Sequence, residues 1–144
     1  TDNISAEEMD NIINKKSGIL GISEISSDAR NIEDEANNGN ERAILTQKIV
    51  GNSVKKLIGA YIAQMNGIDA LVFTAGVGEN DFKIRELSCD ELEYFGIEID
   101  KELNEKAPRG KEVELTAKGA KVRTFSIPTN EEYMIALDTY ELKK

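Results

Sequence analysis

Histidine is absent from all 144 residues. Without an imidazole there is no Ser/His/Asp triad, and the usual zinc clusters are excluded with it. Cysteine occurs once, as Cys89, so no intrachain disulfide can form. A lone thiol with no histidine to activate it is expected to be a buried or neutral group rather than a nucleophile. Such sparing use of cysteine fits a reducing compartment, and the cytoplasm is the expected location. No apolar run approaches the roughly 20 residues that a membrane span needs. The opening Thr1-Asp2-Asn3-Ile4 is too polar for a signal peptide. Positive charge is also scarce: 18 basic residues face 27 acidic ones, a net charge of −9. That balance argues against a nucleic-acid partner, whose phosphates call for a basic face. Any nucleotide bound here has to be held by local backbone dipoles or by metal.

What is present is an ordinary globular composition, 40% hydrophobic and 31% charged, long enough for one domain with a real core. Ser5-Ala6-Glu7-Glu8 reads as a capping box opening a short helix with Met9, Ile12 and Ile13 on one face. That helix is expected to stop before Lys15-Lys16-Ser17-Gly18, and 18–27 to form a packed loop. A helical turn over 32–36 follows, closed by Asn37-Asn38-Gly39. From Asn40 to Met65, Ile44, Leu45, Ile49, Val50, Leu57, Ile58, Tyr61, Ile62 and Met65 recur at helical spacing, a broad apolar stripe. Gly51 and Gly59 within it hint at close helix packing. Ala70-Leu71-Val72-Phe73-Thr74 has the continuous apolarity of a strand buried on both faces. A glycine loop, a helix over 82–92, short strands near Val113–Leu115 and Val122–Ser126, and a helix over 131–142 complete an α/β pattern. The tyrosines, Tyr61, Tyr94, Tyr133 and Tyr140, are spaced as core or interface residues, and 101–111 as a solvated face.

Three stretches could carry chemistry. Val72-Phe73-Thr74-Ala75-Gly76-Val77-Gly78-Glu79-Asn80 runs from a strand into a helix, where open α/β sheets bind ligands. Two glycines there permit positive φ and close approach of a ligand to main chain. The run is neither a Walker loop, lacking Gly-Lys-Ser/Thr, nor a dinucleotide fingerprint, lacking the third glycine. A tight strand-to-helix connector that binds nothing would look the same. Asp28 and Arg30 could bracket a ribose or a base edge, or Asp28 could cap a turn while Arg30 pairs at the surface. After Pro128, Thr129 and Glu132 fit a second capping box. That leaves Glu131 either to complement the helix dipole or to serve as a magnesium ligand.

Taken together and in order, 20–30, 73–80 and Ile127-Pro128-Thr129-Asn130-Glu131-Glu132 resemble the acetate kinases. Lys16-Ser17-Gly18 and Gly39-Asn40-Glu41-Arg42-Ala43 resemble them too, so the likeness spans nearly the whole chain. It implies an ATP-dependent acetate phosphotransferase of the acetate and sugar kinase, Hsp70 and actin superfamily. The implied fold is α/β, a ribonuclease-H-like (actin-like ATPase) domain with a mixed sheet packed by helices. The resemblance further implies that residues 1–144 are a single C-terminal nucleotide-binding domain of a two-domain, usually homodimeric kinase. On this likeness Asp28, Ala29 and Arg30 lie along the adenosine. Gly76, Val77, Gly78, Glu79 and Asn80 form the second adenosine and phosphate-side loop. Glu131 helps hold the Mg²⁺ that accompanies ATP or ADP.

The chain departs from the family pattern in places. Ala29 stands where a bulky apolar residue is usual, and Asp81 where serine is common, which sets negative charge near a polyanion. The N-terminal domain, with its phosphate-cradling turn, acetate-pocket arginines, catalytic histidine and acidic catalytic residue, has no counterpart here. No catalytic residue is therefore assigned in this chain, and the isolated portion is expected to be inactive, because phosphoryl transfer depends on those positioned charges. A propionate or butyrate kinase, or a non-enzymatic dimerisation or scaffold module built on the long apolar helix, remain the alternatives.

Overall fold

The structure, a computed structural model, describes residues 4–143. The polar opening at 1–3, on which the signal-peptide reading partly rests, lies outside the described residues. The chain forms two compact units, one of 4–67 with 83–90 and the other of 68–82 with 91–143.

The first unit is helical. Its first helix, α1 (Ala6–Asn11), opens with the expected capping box: Ser5 accepts from the Glu8 N–H, and Glu8 accepts from the Ser5 N–H at 3.0 Å. The helix does not stop before Lys15 as expected. It runs on as a π turn through Lys16, and the expected loop at 18–27 begins instead with α2 (Gly18–Ser23). Gly18 makes this restart possible by taking φ 62°, and Glu24 closes α2 in the same left-handed region. The third helix, α3 (Ala29–Asn37), starts three residues earlier than the expected turn because Asp28 caps it. The long helix α4 (Glu41–Met65) matches its expected span, capped by the Asn40 side chain and ended by Asn66 at φ 58°.

The apolar stripe of α4 is largely exposed in this chain. Leu45, Ile49, Leu57, Tyr61 and Met65 face solvent, and the buried positions are Ala43, Thr46, Gln47, Gly51 and Ile62. Gly51 does mark a close approach, since a Cβ there would overlap that of Leu87, whereas Gly59 has open space beside it. Cys89 is buried, and desolvation pushes its thiol up to about 12, with Arg85 and Lys55 pulling weakly the other way. It is the inert thiol expected.

The second unit carries the sheet. Strand β1 (Ala70–Phe73) leads into α5 (Ala75–Asn80), and then into α6 (Phe82–Cys89), whose residues from Lys83 onward belong to the first unit. A 3₁₀ turn at Glu93–Phe95 is followed by α7 (Lys101–Glu105), β2 (Val113–Glu114), β3 (Arg123–Ser126) and α8 (Glu131–Glu141). The sheet order is β1-β3-β2, with β1 parallel and β2 antiparallel to β3, and a bridge between Ile99 and Thr116 extends its edge. This is the mixed α/β sheet anticipated. β1 is not buried on both faces, however: Phe73 is buried and Val72 is exposed. Exposure alternates along the strand, Ala70 and Val72 exposed and Leu71 and Phe73 less so, which means one face is covered and the other is open. The four tyrosines, expected in a core or an interface, are all exposed. The expected solvated face at 101–111 is mostly exposed, but Asn104 is buried and donates to the Phe82 carbonyl.

Candidate functional site

In the second unit, parallel pairing decides what meets. Phe73 stands opposite Ser126, and the Ile127 N–H donates to the Phe73 carbonyl at 2.9 Å. The carboxyl ends of β1 and β3 therefore lie side by side. The chain leaves β1 into α5 and leaves β3 through Pro128 toward α8, so both departures occur at the end of the sheet where α/β proteins bind ligands. Their meeting is direct: a Glu79 carboxylate oxygen accepts from the Thr129 N–H at 2.7 Å and from the Thr129 hydroxyl at 3.0 Å.

The glycine segment differs from its expected form. Residues 76–80 are not an open loop but the body of the short helix α5. Neither Gly76 nor Gly78 takes positive φ; Ala75 does, at 59°. The glycines matter for space instead. A Cβ on Gly78 would come within 3.2 Å of the Phe73 backbone, so α5 folds back tightly on the strand it leaves. A Cβ on Gly76 would meet nothing within 4 Å, so main chain is bare to solvent there. The Asn80 side chain closes the turn by donating to the Gly76 carbonyl at 2.9 Å. Asp81, anticipated as a negative charge near the ligand, is buried, and its N–H donates to the Val77 carbonyl.

Glu131 is exposed in the first turn of α8. The expected Thr129–Glu132 capping box does not form: Asn130 is the cap residue, and Thr129 spends its hydroxyl on Glu79. Pattern reading assigned Thr129 a local partner, and nothing in the sequence spacing signals a contact 50 positions away. Among the described residues no group of three or more Asp, Glu, Cys or His gathers as a metal cage. A single exposed carboxylate still suits Mg²⁺, which keeps several waters and takes one or two carboxylates beside phosphate oxygens.

Asp28, Ala29 and Arg30 form their own group in the first unit. Asp28 accepts from the Arg30 N–H at 2.9 Å, and its two oxygens take Arg30 Nε at 3.0 Å and Nη2 at 2.6 Å. These hydrogen bonds hold the Asp28 carboxyl down at about 2 and raise Arg30. Both local roles foreseen for the pair, cap and ion pair, are present. The result is a guanidinium fixed in orientation with most of its side chain exposed. Ala29 is half-buried at the first position of α3.

A surface pocket of about 270 Å³ is lined elsewhere in the second unit by Glu93, Tyr94, Phe95, Gly96, Glu98 and Lys121, among others, and includes none of these residues.

Residues 1–137 match the Acetokinase family. The chain belongs to that family. It is 55% identical over 135 residues to an acetate kinase of Moorella thermoacetica, covering 94% of this chain and 34% of that protein. The crystal structure of Porphyromonas gingivalis acetate kinase superposes with a TM-score of 0.85 at 48% identity, covering 97% of this chain and 35% of that one. A propionate kinase from Francisella tularensis superposes with a TM-score of 0.80 at 36% identity, covering 92% and 33%. This Acetokinase-family chain thus spans about a third of the length of the relatives it matches. Its α/β fold is the actin-like fold of those kinases. No described helix is long and apolar enough to cross a membrane.

Proposed function

We propose that this chain is the C-terminal, nucleotide-holding domain of an acetate kinase, which transfers the ATP γ-phosphate reversibly to acetate to give acetyl phosphate and ADP. The observation that carries the reading is the gathering of bare main chain at Gly76, the α5 turn through Asn80 and the Glu131-bearing start of α8 at adjacent strand ends. In this reading the main chain of Gly76–Asn80 lies against the nucleotide, and Glu131 holds Mg²⁺ through one oxygen or a water. Asp28 and Ala29 line the adenosine, and the fixed, exposed Arg30 guanidinium offers a flat face for stacking on the base. The carboxyl acceptor, the remaining charge stabilisation and the catalytic groups belong to an N-terminal domain that this chain does not contain.

Calorimetry tests the reading. Magnesium-ADP is expected to bind weakly. Glu131→Ala should weaken it by about tenfold, the worth of one charge-assisted contact, with little effect on metal-free ADP. No heat with either form of the chain would remove the site. A coupled assay with ATP and acetate should show no turnover by this chain alone. The family likeness to a propionate kinase leaves the acyl substrate with the acyl-pocket residues outside this chain.

The exposed stripe of α4 favours a second reading, a dimerising or scaffold module. A dimer by light scattering with no nucleotide-dependent thermal shift would support that alternative over the first.

A further inference from the structure

We infer that Glu79 is a positioning residue and not a nucleotide contact: its carboxylate fastens α5 to Thr129 and so sets where Glu131 stands at the strand ends. The inference rests on the nucleotide reading of the site only in giving Glu131 a ligand. The fastening itself stands on geometry. One oxygen of Glu79 takes both donors of Thr129, at 2.7 and 3.0 Å, across 50 positions of sequence. Thr129 lies two residues before Glu131, and α8 has no side-chain cap at Asn130 to fix its start. Pro128 removes one backbone donor from the connection. Glu79 is half-buried, while Gly76 and Asn80 on the same short helix are exposed. The side chain is thus directed at the neighbouring segment, and the surface open to a ligand is the main chain of the turn. A carboxylate here also suits its own task better than it would suit contact with a phosphate, whose charge it would repel.

The test has two arms on the whole chain. In the first, amide exchange at Thr129 is followed in wild type, Glu79→Ala and Glu79→Gln. A charge-assisted hydrogen bond slows exchange, so Glu79→Ala should speed it by at least about tenfold. Glu79→Gln keeps an acceptor oxygen and should stay within about threefold of wild type. Exchange at the α3 amides should not change in either variant. In the second arm, ADP affinity is measured with and without Mg²⁺. Glu79→Ala should lose about fivefold or more of the magnesium-dependent affinity, with metal-free affinity held within about twofold, and Glu79→Gln should restore most of the loss. Unchanged exchange at Thr129 in Glu79→Ala overturns the inference. So does an equal loss of metal-free and magnesium-loaded affinity, which would mark Glu79 as a direct nucleotide contact. If wild type binds no nucleotide, the proposed function falls, and the exchange arm alone decides the inference either way.

Discussion

Ala75 takes the left-handed backbone conformation that a glycine-rich turn would be expected to give to Gly76 or Gly78. The chain leaves β1 fully extended at Thr74, with φ −150°, and must reverse at once to start α5, so the reversal falls on the residue between. A Cβ there strains against the backbone by about 1–2 kcal/mol. Ala75→Gly relieves that strain but adds freedom to the unfolded chain, leaving a net stabilisation of about 0.5 kcal/mol. Urea unfolding followed on the second unit should show the gain, and a loss of that size would contradict it. The two glycines were expected to take positive φ beside a ligand; neither does, and Gly78 instead gives room for the Phe73 backbone. Which residue would carry the turn was not legible, because that depends on where the strand ends, and strand ends are set by pairing with β3. The partner of Glu79 was equally hidden, since a residue whose neighbours satisfy a capping pattern gives no hint of a distant bond.

Elements fared better where their signals were local. The capping box at Ser5 and the Asp28 cap are side-chain events within a few residues, and they appear where the pattern puts them. The failures came where a glycine restarts a helix, as Gly18 does, where burial depends on what covers a face, as on α4, and at Thr129, whose hydroxyl leaves the local capping pattern for Glu79. Between β2 and β3 a further element-scale feature has a measurable consequence. Arg123 of β3 reaches Glu114 of β2 with Nε at 3.0 Å and Nη2 at 2.6 Å, and its guanidinium lies 4.6 Å from the Phe125 ring centre. The Arg123 hydrogen bonds, and after them the Thr116 hydroxyl, lower the Glu114 carboxyl from its ordinary 4.5 to about 2. A depressed folded-state value means the pairing contributes fully above pH 4.5 and is lost as pH falls through about 2. An NMR titration of the Glu114 side chain should therefore show a midpoint near 2, with the pair intact at pH 4. A midpoint near 4.5 would mean the pair is absent in solution.

At the scale of the whole molecule, the proposed function asks a chain with net charge −9, matching a third of each kinase relative, to recognise a polyanion without a positive field. Bare main chain can do that because backbone N–H groups supply donors without net charge. Gly76 permits a clean test of the claim, since an added Cβ meets no protein atom within 4 Å and the backbone there lies outside the left-handed region. Gly76→Ala should leave the fold intact and stabilise α5 by up to about 1 kcal/mol. The same methyl group would stand where the nucleotide is proposed to rest. The deciding measurement is the Kd of magnesium-ADP for wild type and Gly76→Ala, taken with their unfolding curves. The account predicts unchanged or raised stability together with affinity weakened at least about tenfold. Equal affinity in a stably folded Gly76→Ala chain would contradict it.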